Sequence, residues 1–269
     1  MKIGIISLGL IGGSLFKNLT RTNHEIYAYT TNEETLKKAQ KYSSFVSNNM
    51  NDLKNCEVVF VASPINKTIE MLDLLEEIVS PDCIVMDCAS VKEFVMKKER
   101  PYKFIGSHPM AGTQFSGFDA AFKELFEGAK WVITPSKKVS EKDIETAERI
   151  ISITGAEPII ADEKEHDYAV ALISHMPLLI SQALFNSAKN NKLALKLAAS
   201  GFRDMTRLAT SNLEMAEDMR NFNSKNIAKA LDSLASSINL LKNTKDSEIF
   251  TDIKNIRSSM YSSEGKNIF

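Results

Sequence analysis

Residues 2–16 read KIGIISLGLIGGSLF: a short apolar run, a turn that contains glycines, and the start of a second apolar run. The first run, Lys2 to Ser7, predicts a buried parallel strand, and the second predicts a helix from about Gly12 to Thr22. Strand, glycine turn and helix in this order can hold the phosphates of a dinucleotide, because free N–H groups at the helix start point at them. Gly9 would let the backbone approach a pyrophosphate, and Gly12 would let the helix pack closely on the strand. A plain tight turn is the alternative.

This pattern departs from the usual fingerprint at two places. Ser7 occupies the first glycine position. The second strand, expected at Glu25 to Tyr29, is followed by Thr30 and Thr31, and no carboxylate occurs before Glu33. A carboxylate at the end of this strand binds the ribose 2′-hydroxyl of NAD and would repel the 2′-phosphate of NADP. Its absence favours NADP, and NAD stays open.

Strands and helices alternate through the rest of the first half. Further strands are expected at Glu57–Ala62, Cys83–Cys88, Tyr102–Ile105, Lys130–Thr134 and Pro158–Ile160. Helices are expected at Glu33–Tyr42, Thr68–Val79, Phe115–Phe126 and Glu141–Ile153. This alternation predicts an α/β fold with a doubly wound, largely parallel sheet. The cofactor contacts predicted in its turns are Gly9, Leu10, Ile11, Gly12, Thr30, Thr31, Ser63 and Pro64.

The second half of the chain changes its periodicity after Ala161. Helical patterns are expected at Glu163–Asn190, Leu193–Leu197, Leu213–Asn221, Asn226–Lys242 and Glu248–Tyr261. We therefore predict two domains, with residues 1–163 binding a dinucleotide and residues 164–269 all helical. An apolar stripe at helical spacing is formed by Ile227, Leu231, Leu234, Ile238 and Leu241. It predicts either an interface with a second copy or an internal seam.

The overall composition is that of an ordinary globular protein: 269 residues, 43% hydrophobic and 25% charged, with a formal net charge of −1. Such a charge gives no field that would attract nucleic acid or a membrane. The first strand begins at the N-terminus without a signal-like segment, so we expect a cytoplasmic protein. Three cysteines without a framework or zinc spacing predict buried free thiols and no metal site.

A histidine stands in the segment GSHPMAGT, residues 106–113. Pro109 removes a backbone donor and biases His108 towards an extended conformation, while Gly106 and Gly112 would allow turns on either side. His108 is therefore expected on a stiff loop beyond a strand end, where ligands bind in open α/β sheets. A surface loop with an incidental histidine is the alternative.

Two other polar groups have two interpretations each. Ser90, after the fourth strand, is either a helix N-cap with Glu93 as its partner or a hydroxyl that orients a nearby histidine. His175 stands in an apolar helical segment before Pro177. It is either a core histidine, satisfied by the carbonyl that the proline frees, or part of a ligand pocket.

The segment Gly201 to Arg207 places Arg203 and Arg207 on either side of Asp204. Such residues form a structural ion-pair cluster, or they bind a carboxylate with the guanidinium fork. Spacing alone leaves both interpretations open.

Several motifs taken together resemble the prephenate/arogenate dehydrogenase family of tyrosine biosynthesis, over nearly the whole chain. They are GLIGGS at 9–14, SVK at 90–92, GSHPMAG at 106–112, HD at 166–167, SHMP at 174–177 and FRDMTR at 202–207. The resemblance implies a Rossmann-type domain followed by a helical dimerisation domain, hence a homodimer. It also implies oxidative decarboxylation of a cyclohexadienyl substrate with NAD or NADP.

The resemblance also implies roles for individual residues. His108 would accept a hydrogen bond from the substrate hydroxyl, and Ser90 would orient His108 and touch the nicotinamide side of the cofactor. Arg207 would bind the ring carboxylate, and His175 would line the substrate pocket. Further substrate contacts are expected from Thr113 and Asp204, of which Asp204 could pair with the ammonium group of arogenate.

The chain departs from the family pattern at Ala216, where relatives often have tryptophan, while Asn223 matches a recurrent asparagine. Two other functions stay open. One is a different two-domain dehydrogenase of the β-hydroxyacid or imine-reducing kind. The other is a non-catalytic dinucleotide-sensing dimer.

Overall fold

A mixed eight-stranded sheet forms the core of the first part of the chain in the computed structural model, which describes residues 1–113 and 115–261. The strands are β1 (Lys2–Ile6), β2 (Glu25–Tyr29), β3 (Val46–Ser47), β4 (Val58–Val61), β5 (Ile84–Asp87), β6 (Lys103–Pro109), β7 (Lys130–Pro135) and β8 (Glu157–Ile160). Their order is β3-β2-β1-β4-β5-β6-β7-β8. All neighbours run parallel except β6 and β7, which are antiparallel.

Helices connect the strands and make up the rest of the described chain. They are α1 (Leu10–Leu19), α2 (Glu33–Ala39), α3 (Ile65–Leu75), α4 (Lys92–Met96), α5 (Glu141–Ile153), α6 (Glu163–Val170), α7 (Met176–Ala188), α8 (Lys192–Leu197), α9 (Ser200–Met205), α10 (Leu213–Phe222), α11 (Ser224–Asn243) and α12 (Glu248–Met260). A π-helical segment, Ala171–His175, joins α6 to α7, and 3-10 turns lie at Met50–Leu53 and Arg207–Thr210.

Two apolar cores, one on each face of the sheet, confirm the predicted doubly wound fold. Ile3 and Ile5 of β1 pack in a core with Phe16 of α1. Ile6, on the other face of the same strand, packs in the second core with Leu72 of α3. A strand buried on both faces reads as a continuous apolar run, which explains why the sequence pattern of β1 was recognisable.

The helix predicted for Phe115 to Phe126 is wrong, because the described residues there form turns. The hydroxyl of Ser14 accepts a hydrogen bond from the backbone N–H of Phe122 at 3.0 Å. The ammonium group of Lys17 donates to the carbonyl oxygen of Ala121 at 2.7 Å. These bonds to α1 engage backbone groups that a helix would use internally. No sequence pattern predicts the short strand β3, the helix α9 or the 3-10 turns.

The chain divides into two compact units, Met1–Ile227 and a second unit that starts at Ala228. Helices α6 to α10 belong to the same unit as the sheet, and α6 packs on α4. The second unit contains most of α11 and all of α12. The boundary at residues 163 and 164 expected from the sequence stays a prediction.

The helical run Glu163–Ala188 has the length and composition of a membrane span. It carries His166, Asp167 and His175, all buried, and their side chains form hydrogen bonds with other elements of the first unit. These contacts are those of a helix packed within a folded unit.

The expectation of buried free thiols is confirmed for Cys56 and Cys83, while Cys88 is partly exposed. Burial raises the pKa of Cys56 and of Cys83 to about 12, so both thiols stay protonated at neutral pH.

Candidate active site

The turn between β1 and α1 has the geometry expected of a phosphate-binding turn. Gly9 is the N-cap of α1 and has no side chain that could cap the helix, so the first N–H groups lack acceptors within the helix. A Cβ on Gly12 would lie 2.0 Å from the carbonyl oxygen of Ser7 and 2.9 Å from Cβ of Ala62. Around Gly9 the space is open. Leu10 and Ile11 lie at the start of α1, and their predicted cofactor contacts stay predictions.

Ser7 adopts a left-handed backbone conformation, with φ at 72°. This region favours glycine, so the serine adopts it at a cost in strain.

The turn after β2 offers hydroxyl groups and no carboxylate. Thr30 is buried, and its Oγ1 accepts a hydrogen bond from the N–H of Asn32 at 3.3 Å. The Asn32 side chain in turn accepts from the N–H of Thr35 at 2.8 Å and caps α2. Thr31 is exposed. The predicted ribose contacts of Thr30 and Thr31 stay predictions.

The strand order places the turns after β1, β2 and β4 at one edge of the sheet. β1 lies between β2 and β4, so their carboxyl ends are adjacent and the connections diverge there, as at a nucleotide-binding switch point. Pro64 caps α3 at the end of β4, and Ser63 Oγ lies 3.2 Å from Thr68 Oγ1. The arrangement suits a dinucleotide that crosses the sheet.

His108 lies within β6, so its expected place on a loop beyond the strand end is wrong. Its register partner in the antiparallel β7 is Val132, and the pairing continues to Pro109. Gly106 is also part of this strand, where a Cβ would lie 2.5 Å from Thr134 Oγ1 and 2.7 Å from Met96 Sδ. Strand pairing rather than the proline alone therefore fixes the backbone at His108.

A chain of hydrogen bonds runs from His108 into α6. Nδ1 of His108 lies 2.9 Å from Nε2 of His166, and Nδ1 of His166 lies 2.8 Å from Oδ1 of Asp167. The same carboxylate accepts the backbone N–H groups of Lys92 at 2.7 Å and Glu93 at 2.9 Å. Asp167 thus caps α4 from another helix and anchors the histidine pair.

These contacts bear on the two interpretations of Ser90. The N-cap residue of α4 is Val91, whose own side chain does not cap the helix, and the side chain of Asp167 accepts the N–H of Glu93. The interpretation of Ser90 as a cap is therefore wrong. His166 is the partner of His108 at Nδ1, and no hydrogen bond joins Ser90 to His108 within the described ranges. The orienting role of Ser90 stays a prediction.

A buried ion pair supports the strand that carries His108. The ammonium group of Lys92 bonds the carboxylate of Asp87 and the carbonyl oxygen of Ser107, and both charged side chains are fully buried. Asp87 also accepts the backbone N–H groups of Ser107 and Ala89, each at 2.9 Å. The pair therefore ties the carboxyl ends of β5 and β6 together next to His108.

His175 is buried, and its two ring nitrogens differ. Nδ1 lies 3.1 Å from Nδ2 of Asn223, whose amide also donates to the backbone carbonyl of Asp167 at 2.7 Å. Nε2 has no hydrogen-bond partner among the described residues. Asn223, rather than the carbonyl freed by Pro177, therefore satisfies this histidine. A buried nitrogen left unpaired is expected where a ligand completes the site.

Both imidazoles are neutral at neutral pH. The pKa of His108 lies well below its ordinary value, first because the ring is removed from water and then because His166, Lys92 and His175 oppose a further positive charge. Burial lowers the pKa of His175 to about 4, against the carboxylate of Asp167, which raises it. Each ring thus has one N–H and one lone pair.

The remaining predicted substrate contacts lie at the surface of the first unit. Arg203 and Asp204 form an exposed ion pair at 3.0 Å. Arg207 is exposed and begins a 3-10 turn that packs along α7. Thr113 is exposed, and its hydroxyl accepts the N–H of Phe115 at 3.1 Å. Their substrate roles stay predictions.

The described structure thus brings together a cluster of which sequence reasoning found two members, His108 and His175. The other members are His166, Asp167 and Asn223. His166 and Asp167 were visible only as the HD pair within a larger motif, and Asn223 only as a recurrent asparagine.

Comparisons with known proteins agree on one family. Its sequence models match in succession: the nucleotide-binding domain of prephenate dehydrogenase at residues 15–160 and the dimerization domain at residues 162–254. Prephenate dehydrogenase of Bacillus subtilis is 29% identical over 264 residues, which are 91% of this chain and 70% of that protein.

Solved structures agree with this result. Synechocystis arogenate dehydrogenase is 31% identical with a TM-score of 0.84, over 96% of this chain and 98% of that one. Prephenate dehydrogenase of Aquifex aeolicus, in complex with hydroxyphenyl propionate and NAD+, is 28% identical with a TM-score of 0.83, over 96% of each chain. A 3-hydroxyisobutyrate dehydrogenase of Mycobacterium tuberculosis, 12% identical with a TM-score of 0.56 over 99% of this chain and 95% of that one, shares the fold alone. The chain therefore belongs to the prephenate/arogenate dehydrogenase family, whose members are NAD(P)-dependent oxidoreductases.

Proposed function

We propose that this protein oxidatively decarboxylates prephenate, arogenate or both, with His108 as the group that accepts the substrate hydroxyl proton. The observation that carries the proposal is the hydrogen-bonded chain from His108 through His166 to Asp167, beside a buried His175 whose Nε2 has no partner in the described part of the chain. Relatives named for both substrates, and one complex with a hydroxyphenyl compound and NAD+, support it.

The turn after β1 fits a dinucleotide, because the start of α1 leaves N–H groups for the pyrophosphate and the space at Gly9 is open. When bound, the oxidised nicotinamide supplies the acceptor for the hydride that leaves the ring carbon bearing the hydroxyl. His108 takes the hydroxyl proton at Nε2 as that carbon becomes a carbonyl carbon. The bond to the ring carboxyl group then breaks, carbon dioxide leaves, and its electron pair completes an aromatic ring.

His175 and Arg207 are the proposed anchors for the substrate. A neutral imidazole with an unpaired Nε2 can donate to a substrate oxygen, and the exposed guanidinium of Arg207 suits the ring carboxylate. Holding the ring at both ends would align its hydroxyl with His108 and its hydride with the nicotinamide. Thr113 and Ser90 are proposed as further contacts, Ser90 on the nicotinamide side.

The test is a spectrophotometric assay of nicotinamide reduction with prephenate and with arogenate, each with NAD and with NADP. His108→Asn should lower kcat by about 10²- to 10⁴-fold, the usual contribution of a general base. His24→Asn, outside the cluster, is the matched control and should leave kcat unchanged. Absence of reduction with all four pairs would defeat the proposal. It would favour a non-catalytic dinucleotide-sensing protein.

The choice of substrate has its own test at Asp204. If its carboxylate recognises the ammonium group of arogenate, Asp204→Asn should lower arogenate turnover relative to prephenate turnover. An unchanged ratio would assign Asp204 to its ion pair with Arg203 only.

NADP is the proposed preferred cofactor, because no carboxylate stands at the end of β2 to repel a 2′-phosphate. Thr31 is the exposed side chain at this turn. Thr31→Asp should therefore raise the KM for NADP about tenfold or more relative to that for NAD, and the neutral Thr31→Asn should not. Equal KM changes for both cofactors in Thr31→Asp would contradict this placement of the ribose.

We also propose a cytoplasmic homodimer formed through the helical second half. Support comes from the match of residues 162–254 to a dimerization domain and from the apolar side chains exposed on its helices.

A further inference from the structure

The protonation pattern of the histidine cluster follows from the groups that can only accept a hydrogen bond. The side chain of Asp167 accepts the backbone N–H of Lys92 at Oδ1 and that of Glu93 at Oδ2, so both of its oxygens act as acceptors. Nδ1 of His166 must then be the donor in the contact with Asp167 at 2.8 Å. If His166 has a single proton, at Nδ1, its lone pair is at Nε2, and Nδ1 of His108 donates to it.

The opposite pattern holds at His175. The backbone carbonyl of Asp167 can only accept, so the atom of Asn223 that lies 2.7 Å from it is the amide nitrogen. The second hydrogen of that nitrogen points to Nδ1 of His175, 3.1 Å away. The amide oxygen of Asn223 accepts a hydrogen bond from Nδ2 of Asn226 at 2.8 Å, which agrees with this orientation. Nδ1 of His175 is therefore an acceptor, and the proton is at the unpaired Nε2.

We propose that Asp167 sets opposite tautomers on the two histidines, through its carboxylate and His166 for His108 and through its backbone carbonyl and Asn223 for His175. His108 then offers a lone pair at Nε2, and His175 offers an N–H at Nε2. This makes His166 and Asn223 positioning residues. The inference rests on the proposed function for the substrate: a hydroxyl group for His108 and a carbonyl or carboxylate oxygen for His175.

The arrangement explains how one site can use two neutral histidines differently. In water the neutral imidazole of histidine favours the Nε2–H form, which has no lone pair at that nitrogen. Without a partner at Nδ1, His108 would therefore present a donor to the substrate hydroxyl and would be a poor base. Partners of this kind fix tautomers in other catalytic and metal sites.

The test is a ¹⁵N NMR measurement of tautomers at neutral pH on the full chain labelled at histidine. The chain has four histidines, so single substitutions, with His24→Asn among them, assign the signals. We expect the proton at Nδ1 in His108 and His166 and at Nε2 in His175. A proton at Nε2 of His108 or at Nδ1 of His175 in the unsubstituted protein would overturn the proposal.

Two variants at one position separate positioning from simple packing. His166→Leu removes the acceptor, so His108 should shift to Nε2–H and kcat should fall about 10- to 100-fold, as for partners of metal-bound histidines. His166→Gln can place an amide oxygen near the former Nε2, so it should keep the Nδ1–H form of His108 and most of kcat. Equal loss in both variants, with an unchanged His108 tautomer, would leave His166 a packing residue.

Asn223→Ala provides the complementary measurement. It removes the donor to Nδ1 of His175, so the proton of this ring should no longer be confined to Nε2. KM should rise more than kcat falls, while His108 keeps its proton at Nδ1. An unchanged His175 would contradict the role of Asn223. The NMR spectra do not depend on turnover. If the expected tautomers are found but the nicotinamide is reduced with none of the four pairs of substrate and cofactor, the proposed function alone is defeated. Turnover with the wrong tautomers would defeat this inference alone.

Discussion

At the scale of single residues, the charge state of His108 sets the acidic limit of activity. Its pKa is held below the ordinary value first by removal from water and then by the neighbouring His166, Lys92 and His175, which oppose a further positive charge. A lowered pKa keeps the neutral base populated as pH falls, so kcat/KM should persist below about pH 6.5, where an ordinary histidine protonates. It should decline only at lower pH. The measurement is a kcat/KM profile with circular dichroism at each pH, and a decline centred at or above that value contradicts the placement of His108.

A second residue-scale prediction concerns Ser7, whose φ of 72° suits glycine. Ser7→Gly removes this strain and should raise the free energy of unfolding by about 1 kcal/mol in urea denaturation. Ser152→Gly is the control, because it places glycine inside the helix α5 and should lower the same quantity by about 0.5–1 kcal/mol. A loss of stability in Ser7→Gly would mean that the serine side chain has a structural role.

At the scale of elements, the buried pair of Lys92 and Asp87 holds the ends of β5 and β6 together. Lys92→Met leaves the Asp87 carboxylate uncompensated and should lower the free energy of unfolding by about 3–5 kcal/mol. The double variant with Asp87→Asn should recover part of this loss. In the folded Lys92→Met variant, removal of the ammonium charge should raise the pKa of His108. The acidic decline of kcat/KM should therefore occur at a higher pH than in the unsubstituted protein. A loss of less than about 1 kcal/mol would contradict the structural role of the pair.

Elements were predictable from sequence wherever their pattern is local. β1, β2 and α5 lie where their apolar periodicity placed them. The sequence pattern did not predict the backbone conformation where strand partners distant in sequence determine it. β6 extends through His108 because it pairs with β7. Site residues followed the same rule. His108 was recognisable beside Pro109, whereas its partner His166 is separated from it by 58 positions, and no spacing marks such a contact.

At the scale of the whole molecule, we expect a homodimer in solution, because the helices of the second half expose apolar side chains that water does not favour. On α12 these are Phe250, Ile253 and Ile256, each about half exposed and three residues apart, so they share one helix face. Sedimentation velocity at micromolar concentration should give a dimer for the unsubstituted chain. A monomer would contradict the proposal.

The matched variants of this last prediction differ only in the face of α12 that they change. Ile253→Lys places a charge among the exposed apolar side chains and should weaken association by about tenfold or more, since a buried lysine without a partner is costly. Asn255→Lys adds the same charge two residues on, on the other side of the helix, and should leave the dimer intact. Circular dichroism would establish that both variants keep their helices. Equal effects of the two substitutions would mean that this face of α12 lies outside the interface, and that other exposed apolar residues of the helical half form it.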